Sequence, residues 1–400
     1  MSKINLAICS IRFFKMSSNY KKSNGTFAIT EQVNFKYFLF LAVIFISSQV
    51  FAQAELFFQD KPISIVLKAP FTKLLQQRQQ VAGNADEIKN KTIPLPGILI
   101  LLSVSAKPIS ETPVMVDLRG HTSLLESQCD FPKLKVIFHI NKQKENAEND
   151  SISKTIFSNT EKLDLGTHCS VRGGFSPQLY RSWAGTSPHR EALAYRLLNE
   201  LGVPTMKSQM LYVDYVDSEN GRIFGTHRQA FFLEDIGHAA KRLQGIEYFS
   251  IQKVFSNPEK SSRALFHYVQ EAPQTDQTQL AVVLLFEGLI RNNDWKLRVT
   301  QEQAISTFLW NFKIIKLLSL NAYYVLPYDF DLSEVVSGYS RSDENIRYYS
   351  SLVGDEVFAN AVKIYKEKKK DLYQLIRLLP DAYSQRLFKK NLDRFYSQLE

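Results

Sequence analysis

The spacing of apolar residues changes near Asp235, and that change limits the folds open to this chain. Before it, apolar residues come in short runs divided by turn-formers: Ile63 to Lys68, Gly97 to Val104, Val114 to Leu118 and Leu134 to Phe138, which predict strands of an antiparallel sheet. After it the pattern is mainly helical. Leu280 to Ile290 is apolar on every side apart from Glu287 and Gly288, the mark of a helix buried all round, and Asp355 to Glu400 completes the chain with further helices.

A single helix interrupts the strand-rich half. It starts near Ser187, with Pro188 in the first turn where its missing N–H costs nothing. Leu193, Ala194, Leu197, Leu198 and Leu201 form one stripe, and Gly202 stops it. At 100° per residue, Glu191 falls at the rim of that stripe, near the core without being wholly inside it. Two strands follow, Gln209 to Tyr215 and Thr226 to Glu234, joined through Asn220-Gly221. Lys73 to Lys91 is polar and Gln-rich, a helix or an insertion, and Asn141 to Ser153 is a charged loop. A second hairpin, Phe308 to Leu318 with Ala322 to Leu326, leads into Pro327-Tyr328-Asp329-Phe330-Asp331. The order of elements predicts an α+β chain on the two-lobed plan of an atypical protein kinase, with a β-rich N-terminal lobe over 55–235 and a helical C-terminal lobe over 236–400.

The first 54 residues read as a leader. Lys36 precedes an unbroken apolar run of ten residues, Tyr37 to Ile46, and Val50-Phe51-Ala52-Gln53-Ala54 supplies a small-residue cleavage site. The run is well short of the roughly 20 residues a membrane-spanning helix needs, so the expectation is export to the periplasm or beyond, with no stable membrane anchor after cleavage. Removing residues 1–52 takes away six Lys/Arg and one Glu, and the formal charge falls from +9 to +4. A balance that mild, with no basic block interleaved with aromatics, argues against a nucleic-acid partner. Two cysteines remain beyond the leader, Cys129 and Cys169, and an even pair in an exported chain predicts a disulfide. Closing a loop of about 40 residues, it would add on the order of 3–4 kcal/mol.

Phosphoryl transfer asks for a lysine on the phosphates, a glutamate to hold it, a carboxylate near the incoming hydroxyl, and Asn plus Asp on a divalent cation. The sequence offers these in that order: Lys135 in a strand, Glu191 on the following helix, Asp294 after the buried helix, Asn311 in the next hairpin and Asp329 just after it. Lys133 points the same way as Lys135 on a strand, so the sequence does not choose between them. Asp329 and Asp331, two apart in an extended chain, project to one side. A hard cation such as Mg²⁺ or Mn²⁺ would relieve their repulsion, and so would a helix cap or a nearby lysine. Asn311, flanked by Trp310 and Phe312, calls for a partner, either metal or backbone. No Gly-x-Ser-x-Gly, His-Glu-x-x-His or Cys-x-x-Cys is present, which removes the hydrolase, zinc-protease and dithiol chemistries those motifs carry.

Several local motifs together resemble the spore-coat CotH-type kinases and their exported bacterial relatives. They are Arg119-Gly120-His121, Cys129-Asp130-Phe131-Pro132 leading to Leu134-Lys135, Leu165 to Cys169, Arg190 to Leu197, Ala230 to Asp235, Asn293-Asp294-Trp295, Asn311 with Lys313 and Leu317, and Pro327 to Asp331. The resemblance implies an atypical kinase fold with ATP between its lobes and transfer of the γ-phosphoryl to a protein hydroxyl. In it Asp294 matches the catalytic aspartate, Asn311 and Asp329 the metal ligands, Glu191 the helix glutamate and Glu234 the hinge. Arg291 and Trp310 depart from the family pattern, which leaves a non-catalytic pseudokinase or surface binding protein as the rival expectation.

Overall fold

The computed structural model describes residues 56–57, 59–81, 92–120, 122–124, 129, 131–138, 156–157, 160–168, 187–249, 274–292, 311–319, 321–338 and 346–400. The expected leader and signal peptide, the 141–153 loop, Asp294 and Cys169 lie outside them. All described residues fall in one compact unit, Val50–Glu400.

Period-two alternation governs the first part of the chain. Strand β1 (Ile63–Ala69) buries Ile63, Ile65, Leu67 and Ala69 and turns the residues between them outward. After helix α1 (Phe71–Val81) the alternation returns in the second half of β3 (Pro108–Leu118) and in β4 (Leu134–Phe138), while β2 (Leu95–Leu102) and β5 (Lys162–Gly166) end in continuous buried runs. Helix α2 (Ser187–Glu200) then leads into β6 (Ser208–Asp217) and β7 (Ile223–Glu234). These seven strands close into a barrel in the order β1-β2-β3-β4-β5-β7-β6. Every neighbour is antiparallel except the closing pair, in which β1 and β6 run parallel from Ile63 opposite Leu211 to Ala69 opposite Asp217. Closure removes the unpaired edge that an open sheet of this length would present.

The remaining elements are α3 (Ile236–Arg242), β8 (Gly245–Phe249), α4 (Gln274–Ile290), β9 (Phe312–Leu317), β10 (Ala322–Pro327), α5 (Glu334–Ser337), α6 (Tyr348–Val353), α7 (Asp355–Leu375) and α8 (Ala382–Leu399). Strands β8 to β10 form a small separate sheet in the order β10-β9-β8. Among the described residues no helix is long and apolar enough to cross a membrane.

The expected two-lobed kinase plan is therefore corrected to a closed barrel, a three-stranded sheet and a layer of helices around a second core. The reason lies in how α2 and the last two barrel strands pack. Leu211, Val213, Ala230 and Phe232 point into the barrel, whereas their neighbours Met210, Phe231 and Leu233 point out and join α2, α4, α7 and α8 in one apolar core. The barrel wall is thus shared by two cores. Helix α2 is buried on all sides over most of its length, so Glu191 is 5% exposed instead of lying at a rim. Alternation located β1 and β4 to within a residue, while β5 and β8, short and interrupted by charge, carry no strand signal of their own.

Gly166 shows how tightly the two cores press on the wall. It pairs with Phe231 on β7, and a Cβ built there would sit 1.9 Å from the Phe231 ring. Phe231 is fully buried and has no room to retreat. Gly166→Ala is expected to cost about 1–3 kcal/mol in urea unfolding, and Phe231→Leu in the same chain should return part of that loss. Additive losses in the double mutant would show that the two positions do not press on each other.

Candidate functional site

Lys133 and Lys135 stand on the outer face of the barrel wall. Leu134 and Val136 point into the barrel core, so the residues alternating with them face the helices instead. Lys133 is buried, and its ammonium donates to Asp329 Oδ1 at 2.5 Å and to Asp331 Oδ2 at 3.1 Å. That contact joins residues 196 positions apart. Of the two lysines that the sequence left as alternatives, Lys133 is the one that meets the aspartates. Lys135 instead lies 3.6 Å from Asp164 and 4.0 Å from Asp235, and is partly exposed.

Asp329 and Asp331 follow β10 on a turn, not on a continued strand, and Asp329 takes a left-handed backbone with φ +63°. Asn311 mirrors it across the hairpin with φ +60°, and its carbonyl accepts the Tyr328 N–H at 2.9 Å. The register of β9 with β10 therefore brings Asn311 to within one residue of Asp329. Asparagine and aspartate tolerate this backbone region better than other non-glycine residues, which is why both can close the hairpin. The Asp329 N–H donates to the hydroxyl of Tyr195 on α2 at 3.1 Å, and the Phe330 ring packs against Tyr195 and Phe286.

Glu191 stands one turn before Tyr195 on α2 and shares the cluster's field. Burial pushes its carboxyl up to about 8, Lys133 pulls it back, and Asp331 and Asp329 push it further. Burial also opposes the charge on Lys133, but Asp329 and Asp331 overcome it and hold the ammonium well above the ordinary lysine range. For Asp329 burial again opposes ionisation, while Lys133 and then Arg119 keep the carboxyl below its ordinary value. Arg119, at the end of β3, pairs with Asp164 at 3.0 Å. Lys162 and Lys135 carry the network on to Asp235, which caps α3 through the Gly237 N–H.

Of the residues expected at the site, Lys133, Glu191, Asp329 and Asp331 converge, and the Asn311 backbone lies beside them. Glu234 is engaged elsewhere, with Arg242 at 2.9 and 2.7 Å and the Lys207 N–H at 3.1 Å. Asp294 is outside the described residues, but Asn292, two positions before it, bridges Ser333, two positions beyond Asp331. Arg291 pairs with Glu334 on the same segment at 2.9 Å. Cys129 is buried with its Sγ 3.0 Å from the Phe131 carbonyl oxygen. Sequence reasoning assigned no role to Arg119, Asp164 or Tyr195. Asp164 gave a faint signal as a charged residue between Leu163 and Leu165 in a short apolar strand.

In the structure the two aspartates and the lysine satisfy one another. Among the described residues no group of three or more His, Cys, Asp and Glu forms a self-sufficient metal cage. Two carboxylates still suit Mg²⁺ or Mn²⁺, because Mg²⁺ usually keeps waters and takes substrate phosphates as its other ligands.

Glu191 sets the sign of one pH effect. Its folded value, about 8, lies above the ordinary value of 4.5, so its contribution to stability is complete below 4.5 and is lost as pH rises through about 8. In metal-free protein, Glu191→Gln should lose less stability than the parent chain between pH 5 and pH 9 in urea unfolding; parallel curves would contradict the assignment. Comparison with known proteins finds similarity to solved structures. No family model matches the chain, and no curated protein does. A Helicobacter pylori proinflammatory kinase, CtkA, is similar at 11% identity over 67% of this chain and 88% of its own, with a TM-score of 0.37. A score of that size does not establish a common fold.

Proposed function

We propose that the chain is an exported phosphotransferase that moves the γ-phosphoryl of ATP to a protein hydroxyl with Mg²⁺ or Mn²⁺. The observation that carries this reading is Lys133, a buried ammonium set among Glu191 on a helix and Asp329 and Asp331 on a turn. A phosphoryl-transfer site needs a lysine for the phosphates and carboxylates for the metal, and this cluster supplies both groups within one contact.

In this reading Asp329 and Asp331 bind the cation, with Asn311 beside them. Held there, a cation would supply positive charge against the phosphates. Lys133 passes from the aspartates to a phosphate oxygen, and Glu191 keeps its ammonium from following the nucleotide outward. Asp294 accepts the proton of the incoming hydroxyl. The acceptor oxygen bonds to the γ-phosphorus as the bond to the bridging oxygen breaks, and ADP leaves with that electron pair. The rival reading, a non-catalytic binding protein, takes the Lys133 pairs as permanent.

Thermal unfolding separates the two. ATP with Mn²⁺ at about 100 times Kd should stabilise the mature chain by about 2.7 kcal/mol, and Asp329→Ala should abolish the shift. Labelled phosphate transferred to the chain itself or to a protein acceptor would establish catalysis. A chain that binds neither metal nor nucleotide sinks the proposal. Lys133→Met should destabilise the free protein by about 1–3 kcal/mol, because it leaves two half-buried carboxylates without their cation.

Export also bears on the cysteines. Thr167 donates to the Phe131 and Pro132 carbonyls at 3.0 Å, and Cys169 and Cys129 each lie two residues outside the Thr167–Phe131 contact. That symmetry supports a Cys129–Cys169 disulfide, to be sought by peptide mapping without reductant. Two free thiols in the secreted protein would rule it out.

A further inference from the structure

A groove of about 630 Å³ on α7 and α8, floored by Phe358, Val362 and Leu399, has Lys363 and Lys366 at its rim, but nothing in the structure fixes what would occupy it. Exposed Val104 and Ile109 near the β2–β3 turn have no marked partner either. The buried His189 ring is anchored on the Leu211 carbonyl and belongs to the packing of α2. Tyr195 differs from all of these, because its polar atom reaches the site itself.

We infer that Tyr195 is a positioning residue, whose hydroxyl fixes the direction of the Asp329 carboxylate; the inference rests on the phosphotransferase reading and names what holds its metal ligand in place. Three observations support it. Asp329 adopts a left-handed backbone, which in a residue with a Cβ persists only where the surroundings hold it. The Tyr195 hydroxyl accepts the N–H of that same residue at 3.1 Å. The next residue, Phe330, is locked between the Tyr195 ring at 4.7 Å and the Phe286 ring at 5.6 Å, so the peptide on the far side of Asp329 is held as well.

The placement on α2 gives this arrangement its sense. Glu191 and Tyr195 are four residues apart and lie on one helix face. The first acts on the Lys133 ammonium, the second on the backbone of its partner Asp329. A single rigid element thus sets both the cationic and the anionic member of the pair. Loss of the hydroxyl would leave the ring packing intact and free the Asp329 backbone to leave its left-handed state. The carboxylate would then sample several directions, and a cation needing both aspartates would bind more weakly. Nucleotide contacts that do not pass through the metal would be unaffected.

The test is Tyr195→Phe in the full mature chain, titrated calorimetrically with ATP alone, with Mn²⁺ alone and with both. Expected is about a tenfold loss of Mn²⁺ affinity, and of Mn²⁺-dependent ATP affinity, with metal-free ATP binding unchanged. The electron paramagnetic resonance spectrum of bound Mn²⁺ should broaden. Leu392→Ala, buried in α8, serves as the control for lost stability alone: its melting temperature should fall while its Mn²⁺ affinity stays at the parent value. Parent-like Mn²⁺ affinity in Tyr195→Phe, in a parent chain that does bind, overturns the role of Tyr195 and leaves the phosphotransferase reading standing. Equal loss in Leu392→Ala also overturns it, since general loosening would then suffice. A parent chain that binds no Mn²⁺ overturns both.

Discussion

One ammonium group joins the barrel to the helical layer. Lys133, leading into β4, meets two aspartates that follow β10, and the pairs sit where the wall, α2 and the hairpin come together. Taking such charges out of water is costly, and their mutual attraction repays it only in good geometry. Here Arg119, Lys133, Lys135 and Lys162 balance Asp164, Asp235, Asp329 and Asp331, and Glu191 is a fifth carboxyl. Arg119 and Lys133 face Asp164, Asp329, Asp331 and Glu191, with Lys135 reaching only Asp164 and Asp235. Burial, and after it the nearby Asp331 and Asp329, leave Glu191 as a carboxyl that resists ionisation. The cluster is half-open at the aspartates and closed at the lysine.

The place of this cluster follows from the parity of β4. The barrel interior is filled by side chains such as Leu67, Val116, Val136 and Phe232, so it offers no chamber for a ligand. Chemistry is displaced to the outer face, where every second residue of the wall meets α2 or the hairpin. That parity assigns Lys133 and Lys135 to the same side, and half of β7, with Phe231 and Leu233, to the second core.

Much of this was legible in the residues. Alternation marked β1 and β4, the apolar stripe marked α2, and the two-residue spacing of Asp329 and Asp331 announced a shared task. The closure of the barrel was not legible, because the pairing of β1 with β6 is a long-range parallel match that leaves no local pattern. Nor was the burial of Glu191. The stripe on α2 placed Glu191 at a rim, but Ala192 and Tyr195, outside the stripe, are buried as well, in a core completed by helices that come much later in the chain. The choice between Lys133 and Lys135 depended on where the β10 turn ends, which two lysines of equal parity cannot reveal.

The parallel seam between β1 and β6 also governs the order of assembly. All the other barrel neighbours except β5 with β7 are joined by consecutive stretches of chain, yet β1 waits for β6 to be made before its second edge is covered. Long-range parallel contacts of this kind bear the full loop-closure entropy before they return any stabilisation. During synthesis the nascent sheet therefore carries an open, apolar border along Ile63 to Ala69, and that border is where a helper protein, or an unwanted second chain, would find its template.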